Sequence, residues 1–259
     1  MESMLDIAIR AARLAGRAIM EVYENPFEVY TKDDASPVTQ ADLRASDIIK
    51  ETLKPIGLPF VSEEDLPADR SGFGRYWLVD PLDGTAEFVK RNGEFTVNIA
   101  LIDNKRPVLG VIYAPVTDQL WSSELALTMS LRGAERSLPR VKRGGGNLVL
   151  PQSEKFTVLV SRSHRTPEVD EYIDRILRPA HPDLVIDSQG SSLKFARLVE
   201  GTADVYVCYS KTKEWDTAAA DAILTAAGGK VLKISDGKPL EYDKADYPNP
   251  PFVAWAPGY

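Results

Sequence analysis

Three β-type runs occupy residues 95–123, and the breaks between them, Asp103-Asn104-Lys105-Arg106 and Pro115-Val116-Thr117-Asp118, are four residues each. A break that short closes a hairpin but cannot carry a crossover to a parallel neighbour, so this stretch is expected to fold as an antiparallel meander. Beyond a segment rich in Gly, Arg and Lys at 132–146, the pattern changes to alternating strands and helices. A strand at 156–161 precedes a helix opened by Thr166-Pro167-Glu168, with proline at its first position. Then come a strand at 184–186, a helix from Ser192 to Glu200 stopped by Gly201, and a strand at 204–209. An Ala-rich helix follows from Asp216 to Gly228-Gly229, with strands near Val231 and Phe252. Ahead of the meander, Leu5, Ile9, Ala12, Ala15, Ile19 and Val22 recur at helical spacing, opposite Arg10, Arg13, Arg17, Glu21 and Glu24. A second helix is entered through Thr39-Gln40-Ala41-Asp42, an N-terminal capping pattern, and is ended by Pro55, Gly57 and Pro59. Strands are expected at 60–61 and 76–79. The chain therefore reads as an α+β part over 1–150 and an α/β part over 151–259, with 132–146 a surface loop near the boundary or, alternatively, a lid.

The 259 residues carry a formal charge of -7, which argues against a nucleic acid polymer or an anionic membrane as partner. No apolar run approaches the roughly 20 residues needed to cross a bilayer. Arg10, Arg13 and Arg17 interrupt the first apolar stretch, so it is not read as an export signal, and the expected location is the cytoplasm. One cysteine, Cys208, and two histidines, His164 and His181, leave no disulfide framework and no Cys/His zinc cluster. A metal here must be held by carboxylates.

The chemistry concentrates in Trp77-Leu78-Val79-Asp80-Pro81-Leu82-Asp83-Gly84-Thr85, an apolar strand running into two carboxylates before Gly-Thr opens a helix. Paired hard oxygens suit Mg²⁺, and a helix start can receive phosphate. The alternative is that Asp83 only caps the helix and Asp80 forms a surface turn. An aspartyl nucleophile of the D-x-D-G-T kind is excluded, because its place, two before Asp83, is Pro81. Further acidic groups stand at Glu63-Glu64-Asp65 and at Glu214-Trp215-Asp216, where a solvated loop and an N-cap are the plainer accounts. Two carboxylates about 4 Å apart repel by roughly 4 kcal/mol at an effective dielectric near 20, so a cluster of four calls for cations.

Taken in order, Ser36-Pro37-Val38-Thr39-Gln40-Ala41-Asp42, Ser62-Glu63-Glu64, residues 77–85, and Glu214-Trp215-Asp216 before an Ala-rich helix and Gly-Gly resemble the inositol monophosphatase superfamily of Mg²⁺-dependent, lithium-sensitive phosphatases. The resemblance spans about residues 5–255. Residues 88–101, Ser161-Arg162-Ser163-His164 and Gly190-Ser191-Ser192-Leu193-Lys194-Phe195 look most like its 3'(2'),5'-bisphosphate nucleotidase branch. That branch removes the 3'-phosphate from 3'-phosphoadenosine 5'-phosphate, and in many members from the phosphosulfate of sulfate activation. The resemblance implies a layered α-β-α-β-α sandwich and two or three Mg²⁺ ions. Glu63, Asp80 and the Leu82 carbonyl would hold the first ion, Asp80, Asp83 and Asp216 the second, and Glu63 would lie near a weaker third. Thr85, hydrogen-bonded to Asp42, would orient and deprotonate the attacking water, making Asp42, Thr85 and Glu63 the catalytic set. Gly84 and Thr85 N–H groups would grip the scissile phosphate beside Asp216. Ser191 and Lys194 would take a 5'-phosphate, and His164 with Arg165 the base or phosphate. The expected partner is a small phosphorylated nucleotide, acted on by a monomer or homodimer. An inositol or sugar phosphate as substrate, and a non-catalytic phosphoadenosine sensor, are the alternatives.

Overall fold

The computed structural model describes residues 2–31, 37–70, 72–126 and 155–259; the 132–146 segment, read above as loop or lid, lies outside them. Helix α1 (Met4–Tyr23) starts where Ser3 and Asp6 bond reciprocally, and it buries Leu5, Ala8, Ala12, Ala15, Ile19 and Val22. Strands β1 (Val29–Thr31) and β2 (Pro37–Thr39) form a small antiparallel pair. Helix α2 (Gln40–Leu53) begins with the expected capping box: the Asp42 carboxylate accepts from the Thr39 N–H at 2.8 Å. A short 3₁₀ turn, Lys54–Ile56, and a left-handed Gly57 end it.

The first sheet has the order β3-β4-β5-β6-β7, built from Phe60–Ser62, Arg75–Asp83, Thr96–Asp103, Arg106–Ala114 and Gln119–Ser122. β3 and β4 are parallel, and the rest is the antiparallel meander that the short breaks required. Its residues alternate between two cores, as a pleated strand dictates. Trp77, Val79, Ile99, Leu101 and Val111 bury against α1 and α2. Tyr76, Leu78, Ala100, Ile102, Ile112 and Ala114 face the other way. That second face packs on α5 (Leu193–Val199) and α6 (Glu214–Ala226), which follow α3 (Thr85–Val89) and α4 (Pro167–Tyr172) in the chain. Gly110 sets the approach of α6 to the sheet, since a Cβ there would run into the Ala219 carbonyl.

The second sheet has the order β11-β12-β10-β8-β9, from Lys230–Lys233, Phe252–Trp255, Val205–Cys208, Thr157–Ser161 and Val185–Gln189. Leu159, Tyr206, Phe252 and Ala254 face α5 and α6. Val158, Val160, Val205, Val207 and Val253 cover Val169 of α4 and Ile173 and Leu177 of the π-helical turn after it. The layers are therefore helix, sheet, helix, sheet, helix, the α-β-α-β-α sandwich that was expected. Among the described residues no helix is long and apolar enough to cross a membrane.

One buried group in the middle layer has a measurable consequence. Asp221 accepts from Thr225 Oγ1 at 3.1 Å and Tyr242 Oη at 2.9 Å, and burial pushes its carboxyl up from 3.8 to about 6. Its contribution to stability is thus complete below the unfolded value and is lost as pH rises through about 6. Asp221→Asn has no such loss. Between pH 4 and pH 8 the unfolding free energy of the variant should gain about 2 kcal/mol on that of the parent. Chemical denaturation at both pH values measures this, and a gap that stays constant with pH refutes it.

Candidate active site

Regular pleating would send Asp80 and Asp83 to opposite faces of β4, because their separation is odd. The strand does not end at Val79, as its apolar run suggested, but continues through both carboxylates. Asp80 pairs with Asn98 and Asp83 with Thr96, so three steps on β4 match two on β5. One extra residue is accommodated as a bulge, where Pro81, lacking an N–H, is tolerated. The bulge returns Asp83 to the face of Tyr76, Leu78 and Asp80. Both carboxylates consequently line one cavity of about 930 Å³, together with Glu63, Leu82, Gly84, Thr85, Glu87, His164, Ser191, Lys194 and Asp216.

Gly84 follows with φ 91, left-handed, and turns the chain into α3. A Cβ at Gly84 would stand 2.9 Å from the Glu94 carbonyl and 3.2 Å from Ser191 Cβ, so this corner accepts only glycine without displacement. The turn delivers Thr85 Oγ1 to 3.0 Å from Asp42 Oδ1 and 3.2 Å from the Leu82 carbonyl. The two oxygens of Asp42 are divided: Oδ2 accepts from the Thr39 N–H and hydroxyl at 2.8 and 2.7 Å, and Oδ1 faces Thr85. The capping role and the contact with Thr85, which compete as explanations of Asp42 in the sequence, are both present.

Helix α6 begins at Glu214, two residues before the expected start, so Asp216 sits inside the first turn, and its Oδ2 accepts from the Lys213 N–H at 2.8 Å. Asp83 Oδ2 accepts from Asn98 Nδ2 at 3.2 Å; Asn98 also donates to Ser192 Oγ at 2.8 Å, and Ser192 donates to the Asp216 carbonyl at 3.2 Å. This chain of bonds ties the bulge to the start of α6.

Electrostatically the carboxylates act against one another more than their partners offset. Burial, then Glu63, Asp83, Asp216 and Asp42, push the Asp80 carboxyl well above the usual carboxylate range. Burial, then Asp83 and Glu63, do the same to Asp216 against the opposing Lys213 N–H and Lys194. Asp42 is raised chiefly by burial, although its bonds from Thr39 and Thr85 act the other way. The carboxylates feel one another without being gathered: among the described residues no three His, Cys, Asp or Glu side chains form a ready-made ligand set.

Across the cavity, Lys194 is 6% exposed rather than a solvated helix lysine. Its Nζ donates to the Ser191 carbonyl at 2.6 Å and lies 5.0 Å from the Tyr206 ring centre, and burial lowers its pKa. Ser191 adopts a left-handed φ of 47. His164 lies at the rim with its side chain exposed, while Arg165 pairs with Asp170 and does not line the cavity.

The inositol monophosphatase family model matches residues 1–256. The chain belongs to the inositol monophosphatase family. It is 43% identical over 256 residues to the 3'(2'),5'-bisphosphate nucleotidase CysQ of Shigella flexneri, covering 96% of this chain and 98% of that protein. The same identity and coverage hold for CysQ of Escherichia coli strain K12. The crystal structure of CysQ from Bacteroides thetaiotaomicron superposes with a TM-score of 0.81 at 39% identity, covering 99% of this chain and 98% of that one.

For an inositol monophosphatase family chain, several residues that line the cavity or bond to its lining escape the sequence reading. Asn98 is a polar residue on an inward row between Thr96 and Ala100, and that placement is the one signal that marks it. Glu87, 4% exposed, accepts from Ser163 Oγ, and nothing in its short helix distinguishes it from a surface residue. Glu94 takes a two-pronged bond from Arg162 at 2.6 and 2.7 Å and the Gly190 N–H at 2.7 Å. It thereby joins the three segments 88–101, 161–164 and 190–195.

Proposed function

We propose that this chain is a Mg²⁺-dependent phosphomonoesterase that removes the 3'-phosphate from 3'-phosphoadenosine 5'-phosphate, and from its phosphosulfate, by direct attack of water. The observation that carries the reading is the Asp42–Thr85 pair set beside cavity-lining carboxylates that repel one another. Relatives named as bisphosphate nucleotidases, 43% identical over nearly the whole chain, supply the substrate class.

The donors are all hard oxygens whose like charges raise one another's proton affinity, and this fits Mg²⁺. Glu63, Asp80 and the Leu82 carbonyl are assigned to one ion and Asp80, Asp83 and Asp216 to a second, with Glu63 near a third. Held there, cations would offset the carboxylate charge and supply Lewis-acid polarisation of phosphate and water. Thr85 Oγ1 accepts a hydrogen bond from the attacking water while donating to Asp42 Oδ1, so the water proton passes to Thr85 as the Thr85 proton moves to Asp42. Asp42 Oδ1, 3.0 Å from Thr85 Oγ1, is the acceptor placed to receive that proton. N–H groups of Gly84 and Thr85 orient the scissile phosphate. Ser191, Lys194 and His164 are assigned to the rest of the nucleotide, with Lys194 as the buried cation for the 5'-phosphate.

Phosphate release from 3'-phosphoadenosine 5'-phosphate and from inositol 1-phosphate, with Mg²⁺ and with EDTA, tests this directly. The nucleotide should be preferred, and EDTA should stop both reactions. A preference for inositol phosphate would discard the substrate assignment. Lys194→Ala should lower kcat/KM for the nucleotide by about 10- to 100-fold, the worth of a charged hydrogen bond, and affect inositol phosphate far less. Equal losses on the two substrates would refute the 5'-phosphate contact.

A further inference from the structure

Arg70 and Glu214 are 144 residues apart in sequence and meet inside the protein, Nη1 to Oε2 at 2.7 Å, with side chains 7% and 0% exposed. The second oxygen of Glu214 accepts from the Asp243 and Lys244 N–H groups at 2.9 and 2.8 Å and from Lys244 Nζ at 2.9 Å. The Arg70 guanidinium also reaches the Lys244 carbonyl and the Tyr76 hydroxyl, and it lies 4.1 Å from the centre of the Tyr247 ring. Tyr247 itself is held left-handed at φ 62, a conformation that an aromatic residue keeps only where its surroundings impose it.

Moving these charges out of water costs about as much as their attraction returns, so the pair is a weak device for stability. Its geometry is more informative. Arg70 lies in the connection from β3 to β4 that starts with Glu63. Tyr76 lies on β4, on the same face as Asp80. Glu214 lies in the first turn of α6, two residues before Asp216. One guanidinium therefore touches the loop, the strand and the helix that carry three of the carboxylates.

We propose that the Arg70–Glu214 pair is a brace that sets the spacing of Glu63, Asp80 and Asp216 for divalent cation binding, which makes both members positioning residues. The inference rests on the cation reading above. Groups that orient metal ligands from behind typically account for about 10- to 100-fold in affinity. Mn²⁺ binding to the metal-free protein, followed by the electron paramagnetic resonance of the free ion, is the test. Arg70→Met and Glu214→Gln should each weaken binding by about 10- to 100-fold, with Arg70→Lys between them and the parent. In steady state the Mg²⁺ concentration for half-maximal rate should rise more than the KM for phosphate ester.

Near-UV circular dichroism establishes that each variant is folded. Should Arg70→Met not fold, Arg70→Lys, which keeps the charge and loses the fork, decides the matter. Folded variants that bind Mn²⁺ as tightly as the parent overturn the brace and leave the cation site standing. A parent protein that binds no Mn²⁺ overturns the cation reading and the brace with it.

Discussion

Asp80→Asn is expected to reduce phosphate release by about a thousandfold or more while making the cation-free protein more resistant to heat. The activity loss follows from the position of Asp80, which is assigned to both ions. A cation's stabilisation of transition-state charge is worth several kcal/mol, and about 4 kcal/mol is a thousandfold in rate. The stability gain follows from the same carboxylate's surroundings. Asp80 is 2% exposed, and Glu63, Asp83, Asp216 and Asp42 all act against its charge. Asparagine keeps an oxygen for the Leu82 N–H, which donates to Asp80 Oδ1 at 3.1 Å, and removes the repulsion. The measurement is a pair: phosphate release in Mg²⁺ and a melting curve in EDTA. A variant that melts below the parent in EDTA would mean that Asp80 is held by something other than its cluster of like charges. A variant that keeps a substantial fraction of the rate would remove it from the cation site. Sites of this kind give up stability for function.

Thr85→Ala should lower kcat by about 10²- to 10⁴-fold, the range for a positioned proton-transfer group, and leave KM nearly unchanged. Thr85→Ser keeps the hydroxyl and should keep much of the rate. Asp42→Asn should match the alanine variant in kcat, because in the proposed relay Oδ1, which accepts from the Thr85 hydroxyl at 3.0 Å, takes the threonine proton. The double variant should then be little worse than either single one, as for residues that act as a unit. Losses that multiply would separate Thr85 from Asp42 and end the proton relay proposed here.

The elements that the sequence shows clearly are those governed by local rules. The four-residue breaks impose the meander, the Thr39–Asp42 pattern starts α2, and Gly201 ends α5. Local rules fail where a tertiary partner decides. β4 outruns its apolar segment because β5 supplies partners as far as Thr96, and the bulge at Pro81 exists only in that pairing. Helix α6 starts early because the Tyr247 carbonyl receives the Glu214 N–H at 2.9 Å from a distant loop. Asp80 and Asp83 are legible because carboxylates at the end of an apolar strand are conspicuous, whereas Asp42, Glu63 and Asp216 enter through the family resemblance. Asn98, Ser192 and Glu94 join them only through the folded contacts of both sheets.

The division of Asp42 between its two oxygens has a consequence for how this molecule ages under heat. One oxygen closes the first turn of α2 and the other faces Thr85, so a single local opening at Thr39 withdraws both. Helix ends open more readily than sheets. If the proposed relay holds, an opening of this one helical turn silences the protein with both of its sheets intact.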